Sequence, residues 1–328
     1  MSESRGRRIR CAAGGALVLA LAVLPVESRA GAEPIDAALQ YLAREAQTWR
    51  IQNGCFSCHN NGDAARVVSF ARRAGRPLDR AALRETLDWL SQPQRWAAEL
   101  ADTDFKDAEL AELQFAAALA EALPAELVDR REALAEAAEL LVKRQKPDGR
   151  WSVDRSGLGG GPVTYGDALA TAVARNVVAS ADARKHAAPL ARADRWLRAA
   201  RPQSPAEQAA IVLGLAGATD EEAAAQRQRF LAGARAAQTS GGGWGQFAGR
   251  AAEPFDTALV LLGLAKLSEE PGAAELLARG RAALLEMQAS AGNWRETTRP
   301  AGGESYAHRV STTAWATQAL LVTAVSEK

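Results

Sequence analysis

The residues best suited to chemistry are Cys55, Cys58 and His59, in the run Cys55-Phe56-Ser57-Cys58-His59. Two thiols at this spacing, followed directly by an imidazole, form the attachment pattern of c-type haem. The thiols add across the porphyrin vinyl groups, and the histidine supplies an axial nitrogen to iron. The only other cysteine, Cys11, falls in a segment expected to be removed, which leaves both thiols of the mature protein inside the motif. A redox disulfide at C-x-x-C belongs in a strand–loop–helix context that is missing here. A zinc site needs further clustered ligands, and outside the motif only His186 and His308 remain as histidines. The spacing therefore predicts one covalent haem c on Cys55 and Cys58, with His59 bound to iron.

Residues 1–32 read as an export signal. Arg5, Arg7, Arg8 and Arg10 precede a short run of small apolar residues, and Ala30-Gly31-Ala32 offers a small-x-small cleavage site. An uncleaved anchor is the alternative. Export agrees with haem, because covalent attachment takes place outside the bacterial inner membrane. The formal net charge is +1, with 24% charged residues of both signs interspersed, so nothing points to nucleic-acid binding.

These residues must be positioned by helices. Alanine is abundant and β-branched runs are scarce. Three segments share Gln-x-x-x-Gly-x-Trp: Gln145 to Trp151, Gln238 to Trp244 and Gln288 to Trp294. Each follows an amphipathic helix, striped before the first copy by Leu134, Ala138 and Leu141, and each leads to a more apolar one. The unit is an outer helix, a Gln/Gly/Trp turn and an inner helix. Six such hairpins are expected across residues 33–328, as a single all-α domain. Outer helices should begin near Ile35, Leu78, Leu127, Lys185, Asp220 and Gly272, and inner ones near Asp63, Asp107, Asp167, Pro205, Asp256 and Thr312.

The Gln-x-x-x-Gly-x-Trp turn resembles the QW repeat of squalene–hopene cyclases and the related prenyltransferase-type α/α toroids. Inner-helix starts such as Phe255-Asp256-Thr257 and Ser311-Thr312-Thr313 are similar as well. The resemblance implies a closed ring of hairpins in which the Gln caps the next helix and the Trp stacks against it. The layout also resembles a family of exported proteins that join such repeats to an N-terminal C-x-x-C-H. Class II cyclases protonate their substrate through D-x-D-D, and this chain contains no such motif. Asp256 stands at a comparable position with no expected carboxylate neighbour to raise its pKa. Asp102, Asp104 and Asp107 read as a solvated helix start rather than a cation site.

Ring closure predicts the sixth iron ligand. C-x-x-C-H should precede the first inner helix, and His308 should precede the sixth, which a closed ring sets beside the first. Arg295, Arg299 and Arg309 are then near enough to pair with haem propionates. His186 should lie on the opposite face, and Met287 outside the ring. The leading expectation is an exported, periplasmic c-type haem protein on an α/α toroid, serving electron transfer or as the haem module of a redox system. Its partner would be a periplasmic or membrane-bound redox protein. The alternative is a toroid binding an apolar ligand (an isoprenoid or quinone) or a polysaccharide, with haem as sensor or catalyst.

Overall fold

Helix pairing by apolar stripes is what the computed structural model shows. It describes residues 33–96, 108–153, 160–299, 302–303 and 305–325; the expected export signal, and Asp102, Asp104 and Asp107, lie outside these. Twelve of the helices pair into six hairpins. The outer helices are α1 (Pro34–Asn53), α3 (Arg80–Leu90), α5 (Arg131–Arg144), α7 (Ala187–Ala199), α9 (Glu221–Ala237) and α11 (Ala273–Glu286). The inner helices are α2 (π-wound over Cys58–Ala64, then α-helical over Ala65–Arg73), α4 (Ala108–Ala122), α6 (Gly166–Asp182), α8 (Pro205–Gly214), α10 (Pro254–Leu264) and α12 (Tyr306–Val325).

Each inner helix packs on the inner helices before and after it, and α12 packs back on α2, so the six hairpins close into an α/α toroid. Burial follows position in the ring. Every residue of α10 is buried, whereas α5 buries a stripe of Ala133, Leu134, Ala137, Ala138 and Leu141. No helix among the described residues is long and apolar enough to cross a membrane.

The three Gln/Gly/Trp turns act as identical rivets. The indoles of Trp151, Trp244 and Trp294 each donate to a carbonyl of the preceding outer helix, at Leu141, Ala234 and Leu284, over 2.7 Å. The backbone N–H of each Trp donates to a threonine hydroxyl of the following inner helix: Thr171, Thr257 and Thr313. Each Gln amide then reaches the next outer helix, at the carbonyls of Pro189, Leu276 and Pro34. The last of these, 2.8 Å from Gln288 to Pro34, ties the sixth hairpin to the first.

Two inner helices begin earlier than the sequence pattern indicates. α2 starts at Cys58, so Cys58 and His59 form its first turn instead of preceding it. α12 starts at Tyr306, which puts His308 inside its first turn. The apolar run marks where an inner helix becomes buried, whereas polar side chains with tertiary partners extend it outward.

Candidate functional site

The motif is held by a polar helix start. The Ser57 hydroxyl accepts from the backbone N–H of His59 at 3.2 Å, and Asn61 Oδ1 accepts from Ser57 N–H at 2.9 Å. Asn60 and Asn61 donate to the carbonyls of Glu45 and Ala46 on α1, and Asn61 also to Thr86 on α3. Gly62 lets the backbone approach α4, since a Cβ there would sit 3.0 Å from that of Gln114. These anchors support a π-wound turn, a form that concentrates at functional sites. Cys55 is half-buried, while Cys58 and His59 are buried.

His59 is held by one side-chain contact. Its Nδ1 lies 3.0 Å from Ser311 Oγ on α12, which leaves Nε2 as the second ring nitrogen. Burial, and secondarily the neighbouring His308, push its pKa down to about 3, so the imidazole stays in the neutral, metal-binding form. Ring closure has thus brought His308 into electrostatic reach of His59. His308 is half-buried, its Nδ1 has no hydrogen-bond partner, and burial lowers its own proton affinity. Both imidazoles thus favour the neutral form, the one that can hold a metal.

The expected propionate partners fit less well. Arg299 is buried between Asp256 and Glu253, at 2.6 Å from each, and Arg309 forms a two-point pair with Glu296. Met287 caps the C-terminal end of α11, beside the turn at Gly243. His186 precedes α7, whose start lies at the other end of the hairpin.

A second group of residues was not singled out from the sequence. Asp63, on α2 below His59, is fully buried. Its carboxylate accepts from Tyr165 OH at 2.6 Å and Gln114 Nε2 at 2.7 Å, and Ser311 neighbours it. Arg66 Nε lies 3.6 Å away. Burial raises the Asp63 pKa, and Arg66, Tyr165 and Ser311 oppose the rise. Tyr165 holds a positive φ of 55°, a costly conformation for an aromatic residue, and its buried hydroxyl is raised well above the usual tyrosine range by burial and Asp63. The Cys-His-Asn-Asn-Gly-Asp spacing was the available signal for Asp63; its partners come from three other hairpins.

Beyond this layer opens a central cavity of about 820 Å³. Arg66 and Trp315 form its floor, with the guanidinium 4.1 Å above the indole. Phe70, Leu169, Val173, Leu213, Leu262 and Val322 supply apolar wall. Polar groups gather where the inner helices end: Arg73, paired with Glu121 at 2.8 Å, together with exposed Arg131 and Lys266. Four basic side chains thus face the cavity against one carboxylate, Glu121, whose pKa is raised by burial.

Neither buried aspartate is poised as an acid toward this space. Asp63 lies outside the cavity wall, and so does Asp256. Asp256 does have a carboxylate neighbour, Glu253, contrary to expectation; burial raises its pKa to about 7, and Arg299 clamps it.

No protein-family model matches the chain, and no curated protein matches it in sequence. Solved structures do match. An ent-copalyl diphosphate synthase from Streptomyces platensis superposes with a TM-score of 0.53 and 20% identity over 80% of this chain; the chain spans 50% of that enzyme's length. A variant of the type II terpene cyclase MstE from Scytonema, in complex with its substrate geranylgeranyl dihydroxybenzoate, gives a TM-score of 0.56 and 17% identity over 89% of this chain and 97% of the other. A protein from Actinoplanes gives 0.54 and 20% over 88% and 99%. The chain therefore has the α/α toroid fold of class II terpene cyclases. This corrects the leading functional expectation of electron transfer: the matching MstE toroid is a terpene cyclase seen with geranylgeranyl dihydroxybenzoate as its substrate, and the ring here holds a cavity with an apolar wall.

Proposed function

We propose that the toroid binds an elongated apolar ligand of the isoprenoid class, anionic at one end, in its central cavity. The observation that carries this reading is the cavity itself, about 820 Å³ with an apolar deep wall and a basic rim. That volume is of the size that takes a small-molecule ligand, roughly 300–1,000 Å³. Apolar burial would hold the chain of the ligand, and Arg73, Arg131 and Lys266 its charged end. A prenylated quinone shares the apolar tail. A polysaccharide suits the site poorly, because the deep wall offers few hydrogen-bonding groups.

Covalent haem belongs to the same proposal as a group that senses or acts on the cavity ligand, and export to the periplasm is the compartment in which it would be attached. Cys55 and Cys58 would carry it, and His59 and His308 would hold its iron. Haem c would supply a redox-active iron at this face of the ring. Ser311 orients the His59 ring, and burial keeps that ring unprotonated.

Titrating the full chain with geranylgeranyl phosphate, geranylgeraniol and a soluble oligosaccharide, followed by tryptophan fluorescence, tests the ligand. Saturable binding of the two prenyl compounds is expected, tighter for the phosphate, with that advantage falling as salt rises. Binding of the oligosaccharide alone would contradict the reading. Expression with haem-attachment machinery should yield a haem-mass adduct that survives acid extraction and is lost in Cys55→Ser with Cys58→Ser. A colourless product from a competent host would remove the haem.

A further inference from the structure

The cavity and the C-x-x-C-H segment lie on opposite sides of one polar layer, and a continuous series of side chains crosses it. On the cavity side, Arg66 rests on Trp315 and donates from Nη1 to Gln318. Its Nε is 3.6 Å from Asp63, and its Nη2 has no hydrogen-bond partner. Ser311 neighbours Asp63, and its Oγ is 3.0 Å from His59 Nδ1. Arg66, Asp63, Ser311 and His59 are 5%, 0%, 0% and 9% exposed. Bulk water therefore screens none of these contacts effectively, and polar interactions in series can polarise one another.

We propose that this series couples the two sites, so that a prenyl anion or other apolar acceptor reaching Arg66 changes the hydrogen bond that orients His59. The direction follows from the partners. Tyr165 and Gln114 hold the Asp63 carboxylate in place over 2.6 and 2.7 Å. When a ligand acceptor draws the Arg66 guanidinium toward the cavity, Asp63 loses part of its compensating charge. It then attracts the neighbouring Ser311 hydroxyl more strongly. A hydroxyl turned toward Asp63 offers its oxygen to His59, which favours the tautomer protonated on Nδ1 and leaves Nε2 the more electron-rich ring nitrogen. Ser311 is thus a positioning residue, and cavity occupancy is read at the opposite face of the ring. The inference rests on the apolar-ligand reading and extends it.

Haem-free full-length protein labelled with ¹⁵N-histidine tests it without relying on turnover, because the chain has only 3 histidines and the ring signals can be assigned by substitution. With geranylgeranyl phosphate as the probe, tryptophan quenching reports binding and the His59 ring nitrogens report coupling. Wild type should bind and shift its His59 signals. Ser311→Ala should bind with the same affinity but show less than half of that shift. Binding with no movement at His59, or a full shift in Ser311→Ala, would overturn the coupling and leave the ligand reading standing. Absence of quenching would overturn the ligand reading, and the coupling with it. Should Ser311→Ala not fold, Arg66→Met replaces it. That variant should move the His59 signals with no probe present, whereas Leu213→Met, a change in the cavity wall on α8, should leave them in place; unmoved signals in Arg66→Met would again overturn the coupling.

Discussion

Single residues hold this ring together through bonds that repeat from hairpin to hairpin. Trp244 is fully buried and donates to Ala234, while its own N–H is taken by Thr257. Trp244→Ala should cost roughly 3–5 kcal/mol in denaturant unfolding, as large-to-small core changes do. Gly242 is constrained in two ways: its φ is 91°, and a Cβ would lie 2.5 Å from the Arg279 carbonyl oxygen. Gly242→Ala should therefore destabilise by about 1–3 kcal/mol, although it removes no contact. A wild-type melting curve for either variant would contradict the rivet description. These residues were legible in the sequence because Gln, Gly and Trp each serve a bond fixed by local spacing. Arg66, Asp63 and Tyr165 were not, since their roles depend on partners from other hairpins and no local pattern marks them.

At the scale of elements, the helices were legible and two of their starts were not. α10 and α8 begin where the apolar run begins, at Pro254 and Pro205. α12 begins earlier because Glu296 fastens its first turn, accepting from Ser305 N–H at 3.2 Å and pairing with Arg309 at 3.0 Å. That clasp is pH-dependent. Arg309 and backbone donors hold the Glu296 pKa down to about 2, against an ordinary value of 4.5. A carboxylate depressed in the folded state adds stability above its unfolded pKa, and that stability disappears as pH falls toward the folded value. The melting temperature of Glu296→Gln should accordingly lie below wild type at pH 6, and the gap should close between pH 4.5 and 2. A gap that persists unchanged in acid would show that the clasp contributes nothing. The C-x-x-C-H segment illustrates the same point: its spacing named the residues, whereas the helix that carries them was set by Asn60 and Asn61 bonding to α1 and α3.

For the molecule as a whole, closure is what turns a linear repeat into a container. Gln288 reaching Pro34 joins the ends of the ring, sets α12 against α2, and so places His308 and Ser311 beside His59 while enclosing the cavity on the other side of Arg66. Six hairpins could be counted from the sequence, and their closure followed from the repeat. The character of the space inside could not, because it depends on which residues of six separate helices point inward together. The most direct measurement of the account is therefore calorimetric titration of geranylgeranyl phosphate into wild type and Val173→Trp. Val173 lines the middle of the wall on α6, and an indole there would fill space that the prenyl chain needs. Wild type should bind with a negative heat-capacity change, the mark of apolar burial. Val173→Trp should retain the wild-type helical circular dichroism and lose binding. A filled variant that binds as well as wild type would show that the cavity is not the ligand site, and would contradict the account at its centre.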